Sequence, residues 1–176
     1  MRVVLVSLAL AGLAACGHTP KTNAACECLT KADVESAIPG LPFQEGVGSF
    51  TDDFDEDYAS ASCTFHTVSE RPWMNVHLEL YDGKPQQMTI AELKHEAAKD
   101  KRVDVHEVSG LGDGALWNAI PPGYKYDKSY HLSVLKHGNK LAELSAVGIR
   151  DDQAEQALSK LAALALGRFE KMRSDK

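Results

Sequence analysis

Alternating apolar and polar positions dominate the middle of the chain. In WMNVHLELY, residues 73–81, Met74, Val76, Leu78 and Leu80 fall on one side of an extended chain. Asn75, His77 and Glu79 fall on the other, the period of two expected of a strand with one buried face. The preceding CTFHTV alternates in the same way, so the two read as an antiparallel hairpin turning near Ser69–Pro72. Further on, RVDVHEV and LWNAI read as strands separated by the turn SGLGDGA, the second ended by Pro121-Pro122-Gly123. A second hairpin, SYHLSV with LAELSAV, can be registered from its pattern. A two-residue loop at Gly138-Asn139 would pair Val134 with Glu143 and Leu132 with Ser145, mixing the faces. A three-residue loop, His137–Asn139, pairs Val134 with Ala142, Leu132 with Leu144 and Tyr130 with Ala146. One face is then wholly apolar, and register follows the buried face; Asn139 also tolerates the left-handed bulge position of such loops.

Elsewhere the period is helical. Thr30 is an N-cap with Asp33 at N3, and Leu29 can staple to Val34; this short helix stops by Pro39-Gly40. Thr89 caps a second helix, closed into a capping box by Glu92, with Met88 placed to staple Leu93, running to about Asp100. From Asp151/Asp152 to about Met172, Ala154, Ala157, Leu158, Leu161, Ala165 and Phe169 make one apolar stripe. Between the first helix and first hairpin, LPFQEGVGSFTDDFDEDYASAS reads as a polar, acidic, irregular connection. The expected architecture is α+β: an antiparallel sheet with helices packed on one face. Two stretches each read hairpin-then-helix, which suggests a weak internal pseudo-repeat.

The front of the chain follows different rules. After Arg2, VVLVSLALAG has the length of a signal-peptide apolar core and is too short to span a bilayer by itself. It ends in Leu13-Ala14-Ala15-Cys16, which resembles the lipobox of bacterial lipoproteins. That resemblance implies a diacylglyceryl group on the Cys16 thiol, cleavage before Cys16 and acylation of the new amine. An ordinary soluble secretory signal is the alternative. Residues 1–15 are then the signal, 16–28 a lipidated tether, and 29–176 a single domain. Acyl chains hold such a protein to the membrane at about 0.8 kcal/mol per buried methylene. Gly17 rather than Asp at the next position implies, by the sorting rule of that family, the outer membrane facing the periplasm where a cell has two membranes.

Composition narrows the function. The chain of 176 residues carries a formal charge of −6, and removal of residues 1–15 takes away only the positive Arg2. An acidic protein of this kind lacks the basic patches that nucleic acid requires. No fingerprint of a cofactor site reaches the standard of a nucleotide loop. GLGDGALW lacks the Lys-Ser/Thr of a phosphate loop, and its third glycine comes too early for a dinucleotide fold. HEAAK, residues 95–99, has Lys99 where a zincin needs its second histidine. Asp53, Asp55 and Asp57 alternate like the start of a calcium loop, but Tyr58 and Thr64 stand where glycine and glutamate are needed. Trp73, Trp117, Tyr124 and Tyr126 are candidates for an aromatic contact patch. The histidines are scattered, and His77, His131 and His137 lie on the polar sides of strands. No nucleophile signature is present.

Cys26, Cys28, Cys63 and His66 have the count and type of ligands for tetrahedral zinc. Alternation places Cys63 and His66 on opposite faces, however, and exported thiols oxidise. A disulfide between Cys63 and one of Cys26 or Cys28 is the better reading. The segment CECLTKADVESAI resembles the C-x-L-L-T-x-x-[DE]-V opening of a group of small uncharacterised bacterial lipoproteins. CTFH and the GLGD-x-A turn, residues 110–115, also recur in that group. The resemblance implies that Cys26 pairs with Cys63 in a disulfide-stapled periplasmic domain, with Cys28 left as a buried thiol at a leucine position. It carries no active site and no cofactor. The expected function is non-enzymatic: a membrane-anchored module that binds an envelope protein. The alternatives are an immunity or inhibitor lipoprotein against a toxin or hydrolase, using the acidic segment 52–58, or a small-molecule or lipid carrier.

Overall fold

The computed structural model describes residues 24–53, 58–70, 72–83, 89–123, 128–136 and 139–174. Thr30 and Thr89 start helices as their capping boxes dictate. Each hydroxyl accepts a hydrogen bond from the third backbone N–H of its helix, and Asp33 and Glu92 accept from the cap N–H in return. The chain runs α1 (Ala24–Cys28), α2 (Lys31–Ala37), β1 (Val47–Asp53), β2 (Tyr58–His66), β3 (Asn75–Gly83), α3 (Ile90–Ala97), β4 (Asp104–Val108), β5 (Gly114–Ile120), β6 (Ser129–Lys136), β7 (Asn139–Val147) and α4 (Asp151–Ser174). The strands form a seven-stranded antiparallel sheet in the order β1-β2-β3-β7-β6-β5-β4. The fold is α+β.

Period-two alternation decides which side of this sheet is core. Leu78 pairs with Leu144, and Leu144 with Leu132, so one apolar row crosses the central strands. All three are fully buried. Phe65, Cys63, Val76, Leu80, Trp117 and Tyr130 share that face, and the stripe Ala154, Ala157, Leu158, Leu161, Ala165 and Phe169 of α4 covers it. Further ties are Tyr130 Oη donating to Asp151 and His106 Nε2 lying 3.0 Å from Glu155 Oε2. Arg168 binds α2 through Asp33 and also donates to the Cys28 carbonyl at 3.0 Å, so α1 and α2 lie on the same side as α4.

Four expectations are corrected. The helices do not all pack on one face. Gly114 pairs one residue out of phase with the apolar row, and a Cβ there would fall 2.8 Å from Ile90 Cγ1. Lys94 of α3 also bonds Glu107, which points away from the core. So α3 lies on the opposite face, where Leu116 and Leu135 give the outward positions of β5 and β6 an apolar character. For the same reason the pseudo-repeat stops at the hairpins: β2-β3 and β6-β7 meet antiparallel at β3 and β7, while their following helices go to opposite sides. The stretch expected to be irregular contains β1, paired with β2 from Val47↔Thr64 to Asp53↔Tyr58. Its side chains do not alternate in polarity, because β1 is an edge strand. Lastly, residues 24–28 are not tether: they form α1, and Ala25 and Cys28 are buried in the core.

The register of the last hairpin is as expected at Val134↔Ala142, Leu132↔Leu144 and Tyr130↔Ala146. The extra residue sits elsewhere. Lys136 pairs with Asn139 and Leu135 with Lys140, so Leu141, not Asn139, is the bulge. Leu141 is buried, which explains its place: the bulge turns an apolar side chain inward.

Candidate functional site

The cysteines divide as their environments require. Cys26 and Cys63 form a disulfide, with Cα atoms 5.1 Å apart. It ties α1 to the middle of β2 across 37 residues of sequence, a closure worth about 4 kcal/mol on the chain-entropy model. Gly46 makes room for it, since a Cβ at that position would fall on Cys63 Sγ and within 3 Å of the Phe65 ring. Cys28 is a free, buried thiol whose Sγ lies 3.4 Å from Met172 Sδ. Burial, and secondarily Glu27, push its pKa up to about 11, so it stays protonated and unreactive. His66 does not join the sulfurs. It faces the other side of the sheet and stacks on Trp73, with centroids 6.3 Å apart. Among the described residues no three His, Cys, Asp or Glu side chains are grouped to hold a metal ion.

Cys16 lies outside the described residues, as do Asp55 and Asp57, Tyr124 and Tyr126, and His137. GLGDGA is the turn between β4 and β5, with Gly110 and Gly112 at positive φ. A small open cavity of about 340 Å³ there is lined by residues 107–114. His95 is on the exposed surface of α3, and Lys99 lies just past the end of that helix, paired with Glu96. The two tryptophans do not form one patch. Trp117 is core, stacked on Tyr130 at 5.5 Å, while Trp73 is 46% exposed.

The sheet's outward face is the feature that single motifs did not reveal. Where α3 does not reach, β1, β2, β3, β7 and part of β6 present polar side chains in aligned rows. One row is Thr64, His77, Ser145 and His131, each opposite the next. Its neighbour is Ser49, Ser62, Glu79, Glu143 and Ser133. Thr64 Oγ1 and His77 Nδ1 lie 2.8 Å apart, Ser49 Oγ and Ser62 Oγ 2.8 Å, and His131 Nδ1 and Glu143 Oε1 3.5 Å. Thr64, His77, Glu79, Glu143 and Ser145 are half-buried, the shading of side chains that stand beside one another. At one end of the face stand exposed apolar groups: Val47, 70% exposed, Trp73 against His66, and Val68 in the β2–β3 turn. That turn is fixed from inside by the buried Thr67. Its hydroxyl donates toward the Ser69 and Pro72 carbonyls and accepts from Met74 N–H at 3.0 Å. Gly148, at φ +82, lets the chain pass the Trp73 carbonyl, which a Cβ would strike.

Chemically, the hydroxyl–imidazole contact between Thr64 and His77 on this face can shift a proton. Compared with known proteins, the chain matches no family model, no curated relative and no solved structure.

Proposed function

We propose that this protein is a bacterial envelope lipoprotein, anchored to the membrane through Cys16, whose domain is a non-enzymatic module that binds another envelope protein. The outward face of β1-β2-β3-β7 carries this reading. A sheet face that is polar, that no helix among the described residues covers, and that is fringed by Val47 and Trp73 has the composition of an interface: polar contacts plus an aromatic anchor. The lipid anchor rests on the Leu13–Cys16 motif, and the disulfide suits an oxidising compartment. No helix among the described residues is long and apolar enough to cross a membrane, so a lipid at Cys16 would supply the attachment.

An inhibitor or immunity protein is the second reading, favoured by the hairpin of β1 and β2. In its sequence Asp52 and Asp53 fall at the end of an edge strand. The carrier reading has less support, because Leu78, Leu132, Leu144, Leu158 and Leu161 fill the space between sheet and α4.

Crosslinking in the native envelope followed by affinity recovery tests the proposal. One stoichiometric protein partner is expected; recovery of lipid with no protein would overturn it. Cys16→Ser should abolish lipid labelling and processing, and persistent labelling would refute the anchor.

A further inference from the structure

Three exposed apolar side chains gather at one end of the sheet. Val47, where β1 begins, is the direct partner of Thr64 and so a diagonal neighbour of His66, about 7–8 Å away across an antiparallel pair. Trp73 stacks on His66, and Val68 follows in the β2–β3 turn. Val47, Val68 and Trp73 are 70%, 58% and 46% exposed. The turn that presents them is held from within. Thr67 is buried beneath it, bonded to the Ser69 and Pro72 carbonyls, and the Val68 N–H donates to the Pro42 carbonyl.

Resting on the Cys16 anchor proposed above, we infer that this end of the domain sits on the membrane, with Trp73, Val68 and Val47 at the boundary between phospholipid headgroups and acyl chains. The reach of the chain is sufficient. The Cα atoms of Cys26 and Cys63 are 5.1 Å apart, and His66 is three residues further along β2, about 10 Å. From Cys16 to Ala24, where α1 starts, eight residues extend to at most about 28 Å. Acyl chains on Cys16 can therefore enter the bilayer beside Trp73. Tryptophan is the side chain that favours this boundary, its ring apolar and its N–H wet. A short tether holds such a second contact at an effective concentration on the order of millimolar, so three side chains need not bind a bilayer unaided. They fall far short of the roughly 20–30 residues a side of a stable dimer. Glu45 and Glu70, exposed at this end, limit the contact to headgroup depth, and Glu45 has Lys31 beside it. β1 ends at Asp53 and β2 starts at Tyr58, so the acidic sequence 52–57 belongs to the opposite end. That end is about 27 Å away along β2, beyond most of the negative potential of an anionic bilayer. The polar rows of β3 and β7 stay available to a protein partner.

The test uses the full-length lipidated protein in vesicles of phosphatidylethanolamine and phosphatidylglycerol whose acyl chains carry bromine as a fluorescence quencher. The chain has two tryptophans, and Trp117 is buried in the core, so quenching from the membrane reports on Trp73. Emission is expected to shift to shorter wavelength on reconstitution and to be quenched most by bromines nearest the headgroups. Both effects should vanish in W73F and weaken in V47S/V68S. The parent protein decides by itself if a variant does not fold. Protein that floats with the vesicles but is not quenched overturns the inference and leaves the anchor intact; Val47 and Trp73 then belong to the protein interface. Quenching that persists in W73F also overturns the inference, because it comes from Trp117. Protein that carries no lipid and does not float overturns both the inference and the anchor.

Discussion

Each central strand presents two different surfaces, one residue apart. On the helix side, Leu78, Leu144 and Leu132 form a row with no exposed surface; on the other, Glu79, Glu143 and Ser133 form the row beside it. The first row is solved by packing: α4 closes over it and every side chain finds apolar neighbours. The second row carries a local conflict, the directly opposed carboxylates Glu79 and Glu143. α3 closes the outward face only where Gly114, Leu116 and Leu135 offer apolar contact. The difference teaches where the fold is overdetermined and where it has been left unfinished. Sequence rules for stability are satisfied on one side, and their violation on the other is what functional surfaces show.

The sharpest way to break this comparison is to mutate neighbours. Leu144→Ala should lower stability by about 2–5 kcal/mol, as for a fully buried leucine whose site cannot collapse. Ser145→Ala, one residue on, should stay within about 0.5 kcal/mol. Urea denaturation of the pair measures both, and equal losses would erase the distinction between the faces. The staple comes next. Reducing Cys26–Cys63 should cost about 2–4 kcal/mol, read as a drop in the thermal midpoint with reductant. Cys28 should resist alkylation in the native protein at pH 8 and label only on unfolding, because burial raises its pKa to about 11.

How much of this was legible depended on whether period and polarity coincided. The hairpin β6-β7 could be registered residue by residue because only one pairing gathers Tyr130, Leu132 and Val134 against Ala142, Leu144 and Ala146. The capping boxes at Thr30 and Thr89 were equally readable, since they are local. β1 was not: an edge strand with Gly48, Ser49 and Asp52 lacks an apolar alternation. α3 could be placed in sequence but not on a face, because Ile90, Leu93 and Ala97 form a stripe too thin to say which apolar patch it covers. For the candidate site, Asn75, His77 and Glu79 were visible as the polar side of a strand. That Glu143 would stand beside Glu79 depends on β3 pairing β7, a long-range contact between strands from different hairpins.

The covered side also contains an electrostatic tie whose loss should be smaller. Asp33 receives the Arg168 guanidinium on both oxygens, one at 3.0 Å, and the side-chain and backbone donors of Thr30. The Arg168 bond, with help from Thr30 and against some burial, holds the carboxyl well below its usual range. A depressed folded pKa stabilises the native state fully above the unfolded value of 3.8 and progressively less as pH falls below it. Arg168 is 40% exposed, so solvent screens the pair and Asp33→Asn should cost about 1 kcal/mol at pH 7. Denaturation midpoints of the two proteins should converge below pH 4. A gap that stays constant to pH 2 would show that packing, not charge, accounts for it.

The smallest expected effect has the opposite sign, and it separates the faces most cleanly. Glu79→Gln keeps the shape and hydrogen-bonding capacity of the side chain while removing one of two facing charges. Like charges directly opposed on a sheet cost about 0.2–1 kcal/mol, so the variant should be more stable than the parent by a few tenths of that unit, measured by urea denaturation at low salt. The gain should shrink at high salt, where exposed charges are screened. Ser62→Ala, in the same row, controls for any general effect of altering this face. Destabilisation by Glu79→Gln would mean that the carboxylate is held by the fold for its own sake, and the outward face would lose its claim to be a surface kept for a partner.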